Sequence, residues 1–204
     1  MGDLVFRADP RAYIHEGGII LPGVTTLLKS QKMISLFPTQ RDLDFGNAVH
    51  LTTQYHDQGD LDIRSVMPSV LPRLEAWIKF CEIEEFVHDP EYIELPVHSD
   101  LYSFATIVDR CGFLRLFPAI VEIKSGAHQA WWALQLAAQK ECLSGTTYGG
   151  PSVRRIAVEL RADGTYKKHE FHEISDRPVF MSIASIYHWK PNHGYKHGGE
   201  YNAN

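Results

Sequence analysis

The spacing of apolar residues changes period along the chain, and each change marks a different kind of element. Tyr13 and Ile14 face Ile19, Ile20 and Leu21 across Gly17-Gly18, the pattern of a short hairpin. Helical spacing follows. Thr25 or Thr26 is placed to cap a helix that carries Leu27 and Leu28 toward Ile34 and ends before Pro38, whose ring disfavours helix in the residue ahead of it. A second helix is expected over residues 42–57. A third starts near Pro68 and sets Leu71, Leu74, Trp77, Ile78 and Cys81 at helical intervals. The N-terminal third thus reads as mostly α.

Residues 92–97, 104–109 and 116–124 are short, apolar and rich in branched or aromatic side chains, as strands are. A helix is expected over 128–143. Strands over 153–160 and 166–171 flank Asp163-Gly164, a strong hairpin-turn signal, and Ser175 can cap a last helix carrying Val179, Ile183 and Ile186. The expected order is α-rich, βββ, α, ββ, α: an α/β domain over residues 1–188, with its core at about 42–171, and a Gly/His/Asn-rich flexible tail over 189–204.

Composition narrows the classes. With 204 residues, 44% hydrophobic and 22% charged, the chain suits one packed domain and not a disordered or collagen-like protein. Lysine and arginine number 20 against 25 acids, a net charge of −5, so any nucleic-acid surface has to be a local patch. No apolar run approaches the roughly 18 residues that span a bilayer, and the start lacks a secretory apolar region, so a cytoplasmic protein with no membrane partner is expected. Cys81, Cys111 and Cys142 form no CxxC pair, which leaves no zinc-finger or iron–sulfur spacing and points to reduced thiols.

Charge inside the apolar strands is the main chemical signal. Glu122 and Lys124 interrupt residues 119–124 and, by strand alternation, share one face at the end of their strand, just before Ser125-Gly126. A solvent-facing ion pair explains them equally well in isolation. Asp109 ends the run 104–108 and lies beside Glu122 if the two strands pair. Two carboxylates at about 4 Å repel by about 4 kcal/mol at an effective dielectric near 20, so they need a metal, a proton or a lysine. Oxygen ligands favour Mg²⁺ or Mn²⁺ over zinc. Asp109 opening a turn with Arg110 and Gly112 is the plain alternative.

His50 sits four residues after Gly46 on one helix face, and a helical glycine suggests a close neighbour there. Glu94 is a charge within an alternating strand. Gln135 falls on the apolar stripe Trp131, Leu134, Ala138, Cys142, so its buried amide needs a partner in backbone, acid or phosphate. His50 and Glu94 have ordinary solvated readings too. Trp131 and Trp132 suit core better than a ligand platform.

In order, Gly46-Asn47-Ala48-Val49-His50, Glu94, Asp109, Glu122-Ile123-Lys124 and Gln135-Leu136-Ala137-Ala138-Gln139 resemble the PD-(D/E)XK nuclease superfamily, in its RecB-like and phage-exonuclease branch. The likeness covers about residues 20–145 and includes the opening Pro22-Gly23-Val24-Thr25-Thr26-Leu27-Leu28; Gln139 stands where that branch usually has tyrosine. The resemblance implies a restriction-endonuclease-like core, a central mixed sheet of about four strands flanked by helices, with an N-terminal helical segment. It implies a divalent-metal-dependent DNA nuclease, an exonuclease of recombination, repair or phage DNA processing in a bacterial or phage-infected cell. Asp109, Glu122, Lys124, Glu94 and Gln135 become the catalytic set. One or two Mg²⁺ or Mn²⁺ ions would be held by His50, Asp109, Glu122 and the Ile123 backbone carbonyl, with Glu94 on a second ion, and no iron–sulfur cluster.

The expected partner is DNA, as linear duplex or single strand, with Lys29, Lys32, Arg110, Lys140, Arg154 and Arg155 as outer phosphate contacts. A recombination partner protein and an oligomer are compatible with the same likeness. The rival reading is a nuclease-like module that binds nucleic acid or protein without cutting. His188, His193 and His197 could at most form a weak chelator in the tail.

Overall fold

The computed structural model describes residues 4–7, 12–34 and 39–196. Pro38 and His197 lie outside them. The Gly17-Gly18 hairpin forms as expected: β2 (Ala12–His15) pairs antiparallel with β3 (Ile19–Leu21), Tyr13 opposite Leu21. A strand not foreseen, β1 (Val5–Arg7), pairs with β2 and extends the expected hairpin to a three-stranded sheet. Helix α1 (Val24–Ser30) follows. Its N-cap is Gly23, with no side-chain cap, and Leu27 N–H donates to the Gly23 carbonyl, so neither Thr25 nor Thr26 caps it.

Helix α2 (Gln40–Gln58) starts on a capping box that the sequence reading missed. The Asp42 N–H donates to Thr39 Oγ1 at 3.3 Å, and the Thr39 N–H donates back to Asp42 Oδ2 at 2.9 Å. It ends on Gly59, whose left-handed φ of 78° closes the helix at little steric cost. Helix α3 (Leu71–Ile83) carries the expected apolar stripe.

The five strands read from the periodicity, where the resemblance implied about four, form the main sheet: β4 (Phe86–Ser99), β5 (Phe104–Leu114), β6 (Phe117–Lys124), β7 (Arg154–Leu160) and β8 (Tyr166–Phe171), in that spatial order. Only β6 and β7 run parallel, joined through α4 (Trp132–Cys142), and the sheet is therefore mixed. Helix α5 (Asp176–Asn192) closes the chain; Ser175 precedes it without a capping bond, and the helix continues past Trp189 into the stretch expected to be tail. No helix among the described residues is long and apolar enough to cross a membrane.

Strand alternation divides the core between the two faces. Ile120 and Ala157 pack with α1, α4 and α5, while Val121, Ile123, Ile156 and Val158 pack with Val49 of α2 and Trp77 and Phe80 of α3. Two irregularities break this order. In β4 the pairing jumps from His88↔Gly112 to Ile93↔Arg110, a wide bulge. In β5, Val108 and Cys111 are three residues apart yet pack in the same cluster. Both irregularities fall beside the acidic residues.

Candidate metal-binding and catalytic site

The break in β5 turns two consecutive charged residues toward α2. Arg110 is wholly buried, and its Nε donates to Asp57 Oδ2 at 2.6 Å. Its Nη1 reaches Glu94 Oε1 at 3.1 Å and the Asp109 carbonyl at 2.5 Å. This arginine is a structural strut, and the expected phosphate contact is corrected. Asp57 also accepts from Trp77 Nε1 at 2.9 Å. Burial works against its carboxylate, but the hydrogen bond from His56, the Arg110 charge and the Trp77 bond outweigh it and hold the acid below its ordinary range.

Asp109 lies where the β5–β6 ladder stops. The last backbone pair is Arg110↔Val121; one step on, Asp109 Oδ2 itself accepts from the Ile123 N–H at 2.7 Å. The Ile123 amide hydrogen thus fixes the acid in place. Glu94 sits at the end of the β4 bulge with φ of 49°, an uncommon backbone for a residue other than glycine. That twist sets its carboxylate between Arg110 and His50. His50 Nδ1 lies 3.3 Å from Glu94 Oε1 and 3.6 Å from Asp109 Oδ2. One ligand atom from each of His50, Glu94 and Asp109 can be chosen so that all lie within 4.8 Å of one another. A Cβ built on Gly46 would meet only Ser125 Oγ, at an ordinary 3.7 Å, so the approach expected there is loose.

Glu122 and Lys124 engage helix α4. Lys124 Nζ donates to Glu122 Oε1 at 2.8 Å and to Gln135 Oε1 at 2.9 Å. Gln135 Nε2 donates to Glu122 Oε1 at 2.6 Å, so its buried amide serves an acid, one of the partners its position allowed. Gln139 takes the other Glu122 oxygen at 2.5 Å and the Ile107 carbonyl at 2.9 Å. Glu122 therefore has both oxygens engaged by protein donors, and of the expected metal-ligating side chains His50, Glu94 and Asp109 are the three whose ligand atoms lie within 4.8 Å of one another. Lys124 lies 5.1 Å from the Trp131 ring centroid and 5.7 Å from that of Trp132, within cation–π range.

The electrostatics follow from this crowding. Burial and the Glu122 charge push the Asp109 carboxyl up to about 8, against the opposing pull of His50 and Lys124. Burial disfavours the charged imidazole of His50, but Asp109 and Glu94 overcome it and raise the group to about 9. Both shifts state that the pocket lacks positive charge. Octahedral Mg²⁺ or Mn²⁺ with bonds of about 2.0–2.1 Å places neighbouring ligand atoms about 3 Å apart, near the observed 3.3 and 3.6 Å. The donors present fit such an ion.

The remaining candidates separate. Arg155 is buried on the Ala133 and Glu173 carbonyls and on Asp176, and Arg154 forms a two-bond pair with Glu170, so neither is a free phosphate contact. His188 bonds the Ser103 carbonyl at 3.0 Å and His193 stacks on Trp189 with centroids 3.9 Å apart, so the two serve local packing. All three cysteines are free thiols; Cys111 and Cys142 are buried and Cys81 partly so.

Arg110, Asp57 and Gln139 are the site residues whose roles the sequence reading missed. Arginine inside the apolar run 104–114 was the available signal for the first; nothing in the sequence linked Asp57 to it across 53 positions. No family model and no curated protein matches the chain. A solved structure described as "Crystal structure of SSO0001" is similar at 15% identity and a TM-score of 0.36, covering 78% of this chain and 82% of the other.

Proposed function

We propose that the protein is a divalent-metal-dependent nuclease that hydrolyses DNA phosphodiesters, built on a restriction-endonuclease-like core. The observation that carries this reading is Asp109: a buried acid flanked by Glu94 and Glu122, raised to about 8, with His50 alongside. Such a pocket is completed by a cation. His50, Glu94 and Asp109 would hold Mg²⁺ or Mn²⁺, which supplies Lewis acidity toward a phosphate oxygen and makes a water easier to deprotonate. Lys124 contributes a positive charge at the end of β6 that steers the attacking water and counters charge growing on phosphorus. Glu122 and Gln135 fix the ammonium in place, and Gln139 anchors Glu122 to β5. Arg110 aims Glu94.

The test is digestion of end-labelled linear and closed circular DNA with each divalent metal in turn. Cleavage that requires Mg²⁺ or Mn²⁺ is expected, and Lys124→Ala should lower it by about 10²–10⁴-fold with unchanged circular dichroism. Absence of cleavage on every substrate, or full turnover in Lys124→Ala, refutes the assignment. One observation favours a second reading: the saturation of Glu122 by Lys124, Gln135 and Gln139 suits a rigid module that binds nucleic acid without cutting. A metal-dependent gain in DNA affinity without product would select that reading.

A further inference from the structure

The geometry points to a second metal site, for an ion of the zinc class, formed by His15, His98 and Asp100 and tying the N-terminal sheet to the main one. His15 ends β2, His98 lies near the end of β4, and Asp100 opens the turn into β5. The imidazole centroids are 4.4 Å apart. His98 Nε2 lies 3.1 Å and His15 Nε2 3.6 Å from the same oxygen, Asp100 Oδ1, and one ligand atom from each of the three side chains fits within a 4.8 Å span.

The close 3.1 Å approach pairs His98 with Asp100, but nothing comparable serves His15. Its Nε2 is shut off from solvent with no hydrogen-bond partner, and 3.6 Å is too long for one. Both spacings suit ligand atoms on a shared ion: around tetrahedral zinc, bonds of about 2.0–2.1 Å separate ligands by about 3.3–3.4 Å. Two imidazoles with one carboxylate favour Zn²⁺, Co²⁺ or Ni²⁺ over Mg²⁺, unlike the acid-rich His50 group. The Asp100 side chain is 78% exposed, which leaves room for water as a further ligand. The Ala105 N–H bonds the Pro22 carbonyl at 3.0 Å nearby, so the ion would reinforce an existing junction of the same two sheets.

The proposal does not depend on nuclease activity. Its test is Co²⁺ titration of the metal-stripped full chain, followed by visible absorption and by counting bound ions, in wild type and in a His50→Ala background. In each background Asp100→Ala, an exposed substitution that leaves packing intact, should lower the count by one ion, and His98→Ala should do the same. Zn²⁺ should raise the melting temperature of the wild type more than that of Asp100→Ala. Equal ion counts with and without the Asp100 carboxylate, in either background, overturn the site.

Discussion

Replacing Arg110 by methionine tests the strut under the acidic site. The guanidinium is wholly buried and joins Asp57, itself 2% exposed, to Glu94. Methionine keeps much of the aliphatic volume and leaves Asp57 a buried anion with only Trp77 and His56 beside it. Removing one partner of a buried ion pair costs about 3–5 kcal/mol, because the surviving charge stays desolvated. At about 2–4 °C per kcal/mol for a domain of this size, the melting temperature in EDTA should fall by roughly 6–20 °C, read by calorimetry or circular dichroism. Asp57→Asn added to Arg110→Met removes the orphaned charge and should recover more than half of the loss. Arg110→Lys should fall between, since an ammonium cannot reproduce the fork that spans two acids. A single Arg110→Met variant that melts within about 2 °C of wild type refutes the reasoning.

Three further outcomes follow from the same geometry. Asp109 and His50 are both raised in proton affinity and share one pocket, so Mn²⁺ binding at pH 7 should release about one proton to an indicator dye; a proton-neutral titration contradicts the ligand set. Both groups are raised above their ordinary values of 3.8 and 6.5, so folding favours their protonated forms. Their stabilisation is complete at low pH and is lost as pH rises from about 4 to 8 for Asp109 and from about 6.5 to 9 for His50. In metal-free protein, that decline should shrink in Asp109→Asn, as measured by denaturant unfolding across the range. Gly112→Ala would place a Cβ 2.2 Å from the Val87 carbonyl oxygen and 2.8 Å from His88 Cα, both backbone atoms, and should destabilise by at least about 3 kcal/mol; wild-type stability in that variant would show that β4 can yield there.

What was legible in the sequence was periodicity and local chemistry. The alternation of Ile120, Glu122 and Lys124 against Val121 and Ile123 placed the charged pair on one face, and Lys124 and Glu122 do share it. The Asp163-Gly164 turn and the apolar stripe of α3 were equally visible, since each is specified within a few residues. The long-range features were not. Asp109 and Arg110 point the same way only because β5 departs from strict alternation, and a period-2 reading puts them on opposite faces. Glu94 owes its position to a bulge opposite residues 110–112, which no local pattern in 92–97 encodes. Strand β1 is three residues long and pairs with β2, too short for periodicity to register.

Several unfavourable features of this fold meet at one place. Glu94 holds a left-handed backbone, which costs about 1–3 kcal/mol unless the surroundings impose it. Arg110 and Asp57 are desolvated charges that apolar residues of equal size would replace with little loss or with a gain. Asp109 is buried among like charges strongly enough to favour its protonated form at neutral pH. Elsewhere β6, β7 and β8 keep unbroken register across the sheet. At Glu94 the left-handed backbone and the Arg110 contact both act to set a carboxylate beside His50 and Asp109, so releasing either should loosen the proposed cation site before it disturbs the rest of the sheet.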